Sequence, residues 1–334
     1  MKGRAATIGL ASLLLAGARL PAVPQRGDPT ALALFQKALA ADIEEGDAPA
    51  FRMHGQLQVL DASGGREAGE VLRIWTPVGL RHEEIVLPDF QSVVVADGKN
   101  EWISSSADHT PFPIFQSQEV LTVAGQLRAG LQMAVEPPAP SAGGSEECVR
   151  AAASDSLYEF CFEAVTGQLT RVVSGLWNVT YEYSNYAAWG KKAYPRVLRV
   201  AKRDGETLVE IRIDRLAAES RPPLAMFLPG KGAREGADPN GCGKIDAARA
   251  EKVVKPVYPS DAQRAGITGT VRLYADIGGD GVPRGLWPLN SPSPILADAA
   301  IQAVRQWRYR PMVCHSTGAF IDAPTSIALT FSSR

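Results

Sequence analysis

The side chains that could do chemistry in this sequence form no catalytic pattern. Adjacent carboxylates occur at Glu44–Glu45, Glu83–Glu84 and Glu146–Glu147, and chain neighbours diverge on a helix or strand, so we expect these pairs on solvated faces. His82 precedes Glu83, but the second histidine of a zinc-binding HExxH helix is absent. The sequence also lacks a GxSxG serine elbow and a GxxxxGK[ST] phosphate loop. We therefore expect no enzyme activity, no catalytic residues, no metal and no cofactor.

The four cysteines predict disulfide bonds, which persist in an oxidising compartment. Cys148 and Cys161 lie 13 residues apart on two apolar, strand-like runs that could face each other across a hairpin. Cys242 and Cys314 would then pair by elimination, although four cysteines allow three connectivities. A zinc site built from Cys242, Cys314 and His315 is the alternative, but it lacks the usual paired CxxC spacing.

The first residues have the layout of a secretory signal peptide. Lys2 and Arg4 precede an uncharged, largely apolar stretch at 5–18 that ends in small residues. This stretch is shorter than the ~20 residues that a membrane-spanning helix needs. We expect residues 1–22 to be a signal peptide and the mature protein to be free in the periplasm. Without cleavage, the same segment would anchor the protein in the membrane.

The length and charge predict two globular domains and no nucleic-acid partner. A chain of 334 residues exceeds the usual ~100–200 residues of one domain. The formal net charge is -1, with no basic stripe, whereas surfaces that bind nucleic acids are strongly basic. A stretch rich in proline, glycine and charged residues separates the two halves. We expect a first domain at 28–218, a linker at 219–247 and a second domain at 248–334.

The first domain has the pattern of a helix followed by an antiparallel meander. Asp28 and Pro29 are typical of a helix start. From Phe51, apolar and polar residues alternate, which indicates a half-buried strand, and further short strands follow at turn signals. Apolar residues spaced by three and four predict a helix over 119–133, preceded by a loop at 110–115.

Three parts of this domain resemble the LolA and LolB type of lipoprotein carrier, and outer-membrane lipoprotein-sorting proteins more widely. They are the amphipathic helix before the first strand, VVVADGKNEWI at 93–103 and YSNYAAWGKKAYPRVLRV at 183–200. The resemblance implies an incomplete barrel with helices on its open side and a greasy concave cavity for acyl chains. The alternative is a packed core filled by Trp75, Trp102 and Phe90, since aromatic residues in strands are more often core than ligand platform.

The last region predicts a small ββαβ unit. Apolar residues alternate over 271–277, the glycine-rich stretch 278–281 suits a tight hairpin, and a second strand returns over 282–289. Ser260 can cap a short helix before them, and Pro294 opens a longer amphipathic helix. A final alternating strand completes the unit.

This region closely resembles the TonB C-terminal domain family of the energy transducer TonB. A tyrosine–proline pair, AGITGTV, GGDGVP and AIQAVRQWRYRP occur in the family's order and spacing. We expect the arginines beside the last tyrosine to be solvated or bound to helix-end carbonyls, not to nucleic acid. The residues that carry the family motif are Tyr258, Pro259, Gly269, Gly281, Trp307, Arg308, Tyr309 and Pro311.

The resemblance implies a protein–protein interaction in transmembrane transport. In this family the domain binds the TonB box, a short extended segment of outer-membrane transporters, as an added strand beside the last strand of its sheet. Coupling to ExbB and ExbD is not expected, because the apolar N-terminal run has no histidine and no long proline-rich rod follows it. The implied partner-binding edge consists of Thr325, Ser326, Ile327, Ala328, Leu329, Thr330 and Phe331.

Together these patterns predict an α+β fold, with a curved antiparallel sheet and helices followed by a small ββαβ domain. We expect a periplasmic cell-envelope protein that presents its C-terminal domain to an outer-membrane TonB-dependent transporter or another envelope protein. The alternative function is a periplasmic carrier that binds a lipid or a lipoprotein acyl chain in the concave cavity.

Overall fold

The computed structural model describes residues 27–61, 63–153, 156–235, 248–315 and 318–332. The expected signal peptide and Cys242 lie outside these ranges. The described chain has the predicted α+β architecture, with one large antiparallel sheet, helices on one of its faces and a small C-terminal module.

The large sheet consists of two meanders that meet along their outermost long strands. Its strands are β1 (Phe51–Leu60), β2 (Arg66–Trp75), β3 (Leu80–Leu87), β4 (Phe90–Asp97), β5 (Glu101–Ser105), β6 (Ala134–Val135), β7 (Ala139–Pro140), β8 (Glu146–Ala153), β9 (Ser156–Glu163), β10 (Leu169–Ser174), β11 (Val179–Trp189), β12 (Lys192–Lys202), β13 (Thr207–Ala218) and β14 (Arg234–Glu235). The strand order is β14-β5-β4-β3-β2-β1-β13-β12-β11-β10-β9-β8-β6, with β7 also beside β8. Because β1 pairs with β13, the five first strands and the six later long strands form one continuous, open sheet.

The first helix, α1 (Pro29–Ala41), begins where the sequence predicts. The Asp28 carboxylate accepts hydrogen bonds from the backbone N–H groups of Thr30 and Ala31, at 2.9 and 3.0 Å. These bonds satisfy two of the donors that a helix leaves unpaired at its start. The apolar side of α1 then packs into the core through Phe35.

Two further helices, α2 (Phe112–Leu121) and α3 (Val123–Leu131), follow β5. The predicted loop at 110–115 is wrong from Phe112 onward, because prolines suit the first turn of a helix as well as they suit a loop. The single predicted helix over 119–133 is also wrong. Thr122, with φ -105° and ψ 77°, leaves the helical region and separates α2 from α3.

The C-terminal module contains the predicted ββαβ unit and two additional ribbons. Its elements are β15 (Arg249–Lys252), α4 (Ser260–Arg264), β16 (Gly269–Ile277), β17 (Pro283–Asn290), α5 (Pro294–Val304), β18 (Arg308–Arg310), β19 (Met312–Val313), β20 (Phe320–Ile321) and β21 (Ala323–Phe331). The main sheet has the order β17-β16-β21, and β15 pairs with β18 and β19 with β20. Ser260 is the first residue of α4 and not its cap, since Pro259 occupies the capping position. Ser293 does cap α5, because its Oγ accepts from the Leu296 N–H.

Part of the expected linker is built into the first domain. Glu219 pairs with Arg52 at 2.9 Å, and a 3₁₀ turn at Leu224–Phe227 packs on β3 and β4. There, His82 Nδ1 lies 2.8 Å from the Met226 carbonyl oxygen. The chain then adds β14 to the edge of β5, so that residues up to 235 belong structurally to the large sheet.

Candidate functional site

The predicted partner-binding strand, β21, lies at an edge of the three-stranded sheet. It pairs with β16 along its whole length, from Ala323 opposite Ile277 to Phe331 opposite Gly269. Within the described part of the chain, no strand pairs with its other side. That side offers the backbone groups that an added strand would use.

Most side chains of the predicted edge serve the fold. Ala328 and Thr330 are exposed, and the other five residues are buried. Thr330 Oγ1 lies 3.0 Å from Thr270 Oγ1 on the neighbouring strand, while Ser326 Oγ accepts from Arg272 at 3.3 Å. Recognition at this edge would therefore depend mainly on backbone hydrogen bonds.

The opposite edge strand, β17, lies against the first domain. Its Trp287 ring is 5.9 Å from the Phe112 ring of α2, and Arg284 Nε is 2.9 Å from Asp108 Oδ2. At Gly285, where φ is +58°, an added Cβ would lie only 2.8 Å from His109 Cδ2. This edge is thus covered, and β21 is the edge of the sheet that faces away from the contact.

The three-stranded sheet is also covered on both faces. Its β16 residues that alternate into the core under α5 are Val271, Leu273, Ala275 and Ile277. Tyr274, between them, points the opposite way and lies in the core of the first domain. Its ring is stacked at 5.6 Å on Phe115 and lies 5.0 Å from Phe112 and 5.8 Å from Trp177.

Buried polar contacts fix this docking. Tyr274 Oη donates to the Thr110 carbonyl oxygen at 2.9 Å, and the Thr110 N–H donates to Asp276 Oδ2 at 2.7 Å. Burial raises the pKa of Asp276 to about 6. The nearby Asp322 charge adds to this rise, whereas the Thr110 hydrogen bond and Arg234 oppose it.

Residues of the family motif hold the module together. Trp307 Nε1 donates to the Val254 carbonyl oxygen at 2.8 Å, and the Tyr258 ring packs edge-on against Phe331. Gly281 is required by its φ of +74° and because a Cβ there would lie 2.0 Å from the Tyr309 carbonyl oxygen.

The remaining motif positions are also structural. Gly269 has φ +137°, and Pro259 and Pro311 adjoin α4 and β18. Arg308 donates to the carbonyl oxygens of Arg305 and Trp307 at the end of α5, as the sequence predicts. Of these four residues, Gly269 lies beside β21, opposite Phe331.

The inner face of the large sheet has a charged half on β2 to β5. Arg73 is opposite Glu83 in the β2–β3 register, and its buried guanidinium is ion-paired with both Glu83 and Glu44. Although burial opposes it, these two carboxylates raise the pKa of Arg73. Burial is the main cause of the raised pKa of Glu83.

A second ion pair on this face depends on a small residue. Arg81 is opposite Ala96, which is itself opposite Glu101. Since the alanine leaves room above it, Arg81 and Glu101 form an ion pair across the intervening strand. The Arg81 Nε, which is buried, makes no protein hydrogen bond.

A small pocket of about 40 Å³ opens at these charges, between the first domain and the C-terminal module. Its charged lining mixes three arginines with five carboxylates, and its apolar lining includes Phe115 and Tyr274. The charged lining residues are Arg73, Arg81, Arg234, Glu83, Glu101, Glu235, Asp276 and Asp322. The mixed signs and the ion pairs make this end of the inner face polar.

The other half of the inner face, on β8 to β13, is apolar and filled. Phe35 of α1 lies 4.9 Å from Phe160 and 5.2 Å from Phe162, ring centre to ring centre. Leu127 of α3 is also fully buried there. In this half, helices occupy the place of the greasy cavity that the resemblance implies.

Two of the three aromatic residues expected to fill the concavity do so. Trp75, which stacks on Phe51 at 5.8 Å, and Phe90 pack against the core. Trp102 alternates with Glu101 and Ile103, which line the inner pocket, so its side chain points to the outer face. Neighbouring residues of a strand face opposite sides of the sheet, so a position one residue from Glu101 and Ile103 places Trp102 on the outer face.

The expectation of solvated carboxylate pairs is wrong for two of the six residues. Glu44 and Glu83 are buried with Arg73, while Glu45 turns to Arg128 and Glu84 to Gln91. The neighbours do diverge, as expected, but one member of each pair points inward. The sequence signal for an inner charged cluster is the alternating placement, in strand-like runs, of four charged residues: Arg73, Arg81, Glu83 and Glu101.

The structure contains the predicted disulfide between Cys148 and Cys161. The two residues are directly opposite each other on β8 and β9. Cys314 is buried, but its expected partner Cys242 lies outside the described residues. The second pairing and the alternative zinc site therefore stay predictions.

Among the described helices, none is long and apolar enough to cross a membrane. No curated protein sequence matches the chain. Similar solved structures include a putative outer membrane lipoprotein-sorting protein domain from Vibrio parahaemolyticus, at 10% identity and TM-score 0.43, over 59% of this chain and 95% of that chain. A LolA superfamily protein from Nitrosomonas europaea has 10% identity and TM-score 0.43, over 60% and 98%.

A DUF1329 family protein from Desulfovibrio piger is similar at 10% identity and TM-score 0.44, over 60% of this chain and 98% of that chain. All three likenesses are remote. The family described as Gram-negative bacterial TonB protein C-terminal matches residues 254–325. This match covers most of the C-terminal module and ends within β21.

Proposed function

We propose that this protein is a periplasmic cell-envelope protein that binds an extended segment of a partner by strand addition at β21. The observation that carries the proposal is the open edge of β21, a strand whose first three residues end the segment at 254–325 that matches the TonB C-terminal family. The partner is an outer-membrane transporter with a TonB-box-like segment, or another envelope protein that offers one. Neither catalysis, a cofactor nor coupling to ExbB and ExbD is part of this function.

The geometry around the edge supports the proposal. Docking on the first domain covers β17 and one face of the sheet, while α5 covers the other face. The free edge of β21 remains uncovered, and within β21 only Ala328 and Thr330 have exposed side chains. A partner held mainly through its backbone would be recognised by its extended shape more than by its sequence.

The binding test uses the whole mature chain, because an isolated module would expose Tyr274 and Trp287. A TonB-box peptide from a transporter of the same cell is titrated while the methyl signals of Ala328 and Leu329 are followed by NMR. We expect chemical-shift changes centred on β21. Unchanged signals with every such peptide would remove the support for strand addition.

A proline substitution separates backbone recognition from side-chain recognition. Ala328→Pro removes one backbone donor and should weaken peptide binding by at least about tenfold if that N–H points outward. The matched control is Ala142→Pro in an exposed turn closed by the Gly144 N–H and the Ser141 carbonyl oxygen, at a position where proline is favoured.

If Ala328→Pro disturbs folding, the peptide itself can be altered. N-methylation of one peptide amide at a time should abolish binding at alternate positions, because successive N–H groups of a strand point in opposite directions. Equal tolerance of methylation at all positions would contradict a strand-addition mode.

The competing proposal is a carrier for a lipid or a lipoprotein acyl chain. Helices fill the apolar half of the inner face, so a lipid would enter only if α1 to α3 moved aside. Solvent extraction of the purified protein followed by mass spectrometry tests this function. A lipid recovered in stoichiometric amount would favour the carrier over the interaction protein.

A further inference from the structure

The disulfide belongs to a row of facing residues on the outer side of the large sheet. Cys148 on β8 is opposite Cys161 on β9, and Cys161 is opposite Arg171 on β10. Core residues Val149 and Phe160 alternate to the other face. The Arg171 Nη2 donor lies 3.0 Å from Cys161 Sγ and 3.8 Å from Cys148 Sγ. A guanidinium group therefore lies directly against the disulfide.

The two sulfur atoms differ in environment. Cys161 is fully buried, whereas Cys148 is half-buried and pairs on its other side with the short strand β7. The hairpin ladder already joins β8 and β9 at eight positions, from Glu146 opposite Glu163 to Ala153 opposite Ser156. The ends of the loop that the disulfide closes are thus held together without it.

We propose that Cys148–Cys161 is a thiol–disulfide exchange site, in which a dithiol attacks Cys148 and Arg171 stabilises the departing Cys161 thiolate. A leaving thiol with a lower pKa leaves faster, and a neighbouring arginine lowers a thiol pKa. The sulfur of the more exposed cysteine is the one attacked, and the sulfur nearer the guanidinium is the one released.

The exchange balances in atoms and electrons. One thiolate of the dithiol bonds to Cys148 Sγ, the Cys148–Cys161 bond breaks, and Cys161 leaves with the electron pair. The second thiol of the dithiol then displaces Cys148 from the mixed disulfide. The dithiol becomes a disulfide, and the protein gains two electrons and two protons as two thiols.

Two carboxylates act against the arginine at this site. Glu146 Oε2 and Glu159 Oε1 each lie 3.6 Å from Arg171 Nη2, and Glu159 Oε1 is 3.8 Å from Cys161 Sγ. Negative charge beside Cys161 disfavours its thiolate. The proposal therefore requires that removal of Arg171 and removal of Glu159 change the exchange rate in opposite directions.

The test measures reduction of the full chain by dithiothreitol at pH 7, with acid quenching, alkylation and mass spectrometry of the peptides that contain Cys148 and Cys161. Arg171→Gln should slow reduction by about 3–10-fold, and Glu159→Gln should accelerate it. The matched control is Arg199→Gln, which removes an outer-face arginine that pairs with Glu182 and does not contact either sulfur.

Limited treatment with the monothiol glutathione identifies the sulfur that is attacked. We expect the trapped mixed disulfide on Cys148. Circular dichroism confirms that each variant is folded before its rate is compared. Equal rates for Arg171→Gln and Arg199→Gln, a slower Glu159→Gln variant, or a mixed disulfide on Cys161 would each overturn the proposal.

Discussion

The two halves of the inner sheet face bury their side chains by opposite chemistry. On β8 to β13 the inward residues are aromatic and aliphatic, and α1 to α3 pack on them. On β2 to β5 the same face carries Arg73, Arg81, Glu83 and Glu101, which are all buried. The first half is a packed core, while the second keeps a pocket at its open end.

The C-terminal module docks at the open end of the charged half. A buried ion pair must recover the cost of removing both charges from water, so it contributes little net stability and depends on its geometry. Tyr274 and Asp276 of the module line the pocket above these ion pairs. The module thus helps to enclose the charged half, in addition to presenting β21.

Replacement of Arg73 by methionine should have the largest effect and tests whether the charged half depends on complete pairing. Arg73→Met leaves Glu44 and Glu83 buried without the guanidinium that they share, which should cost about 3–5 kcal/mol of unfolding free energy. Urea unfolding followed by tryptophan fluorescence measures this loss.

The control for Arg73→Met is Arg52→Met, which breaks the more exposed pair with Glu219 and should cost at most about 1 kcal/mol. Replacing Glu44 and Glu83 by leucine in the Arg73→Met background should restore most of the lost stability, because no buried charge is then unpaired. Equal losses for the two single variants would mean that the charged half is not sensitive to its pairing.

The stability gained when the C-terminal module encloses the charged half should depend on pH through Asp276. The pKa of this carboxyl rises from 3.8 to about 6 on folding, so the native state holds the proton more tightly than the unfolded chain does. The contribution of Asp276 to stability is therefore most favourable below pH 4 and is lost as pH rises toward and through 6, by up to about 3 kcal/mol. At pH 8, Asp276→Asn should be more stable than the wild type.

Other titrating groups contribute to the same pH profile, so the informative quantity is the difference between wild type and Asp276→Asn. Thermal unfolding at pH 5 and pH 8 measures it. We expect the advantage of the variant to shrink at the lower pH. An equal stability difference between Asp276→Asn and the wild type at pH 5 and pH 8 would show that the charge of buried Asp276 does not destabilise the native state.

Sequence patterns predicted the elements of both domains better than their contacts. Alternation and turn signals identified the long strands, since these signals are local. The β1–β13 pairing and the docking of Tyr274 depend on residues 150 or more positions apart, which single-sequence periodicity does not encode. The sequence does not reveal the inward charges, because Glu83 beside Glu84 resembles a solvated pair unless it is known which residues of β3 face inward.

A smaller effect on stability is expected in the apolar half of the inner face, where side-chain packing and not charge determines the cost of a substitution. A Cβ on Gly130 of α3 would lie 2.2 Å from Cε1 of Phe35. Gly130→Ala should therefore cost about 1–3 kcal/mol by overpacking, offset by roughly 1 kcal/mol because alanine favours the helix. We expect a net loss of about 1 kcal/mol in urea unfolding.

A double-mutant cycle with Phe35→Leu isolates the cause of that loss. Leucine removes the ring atom that the new methyl group would meet, so Gly130→Ala should become neutral or stabilising in the Phe35→Leu background, through its helix propensity alone. A coupling energy near zero would mean that Phe35 moves aside at no cost. The apolar half would then be loosely packed, and the contrast with the charged half would weaken in favour of a cavity that can admit a lipid.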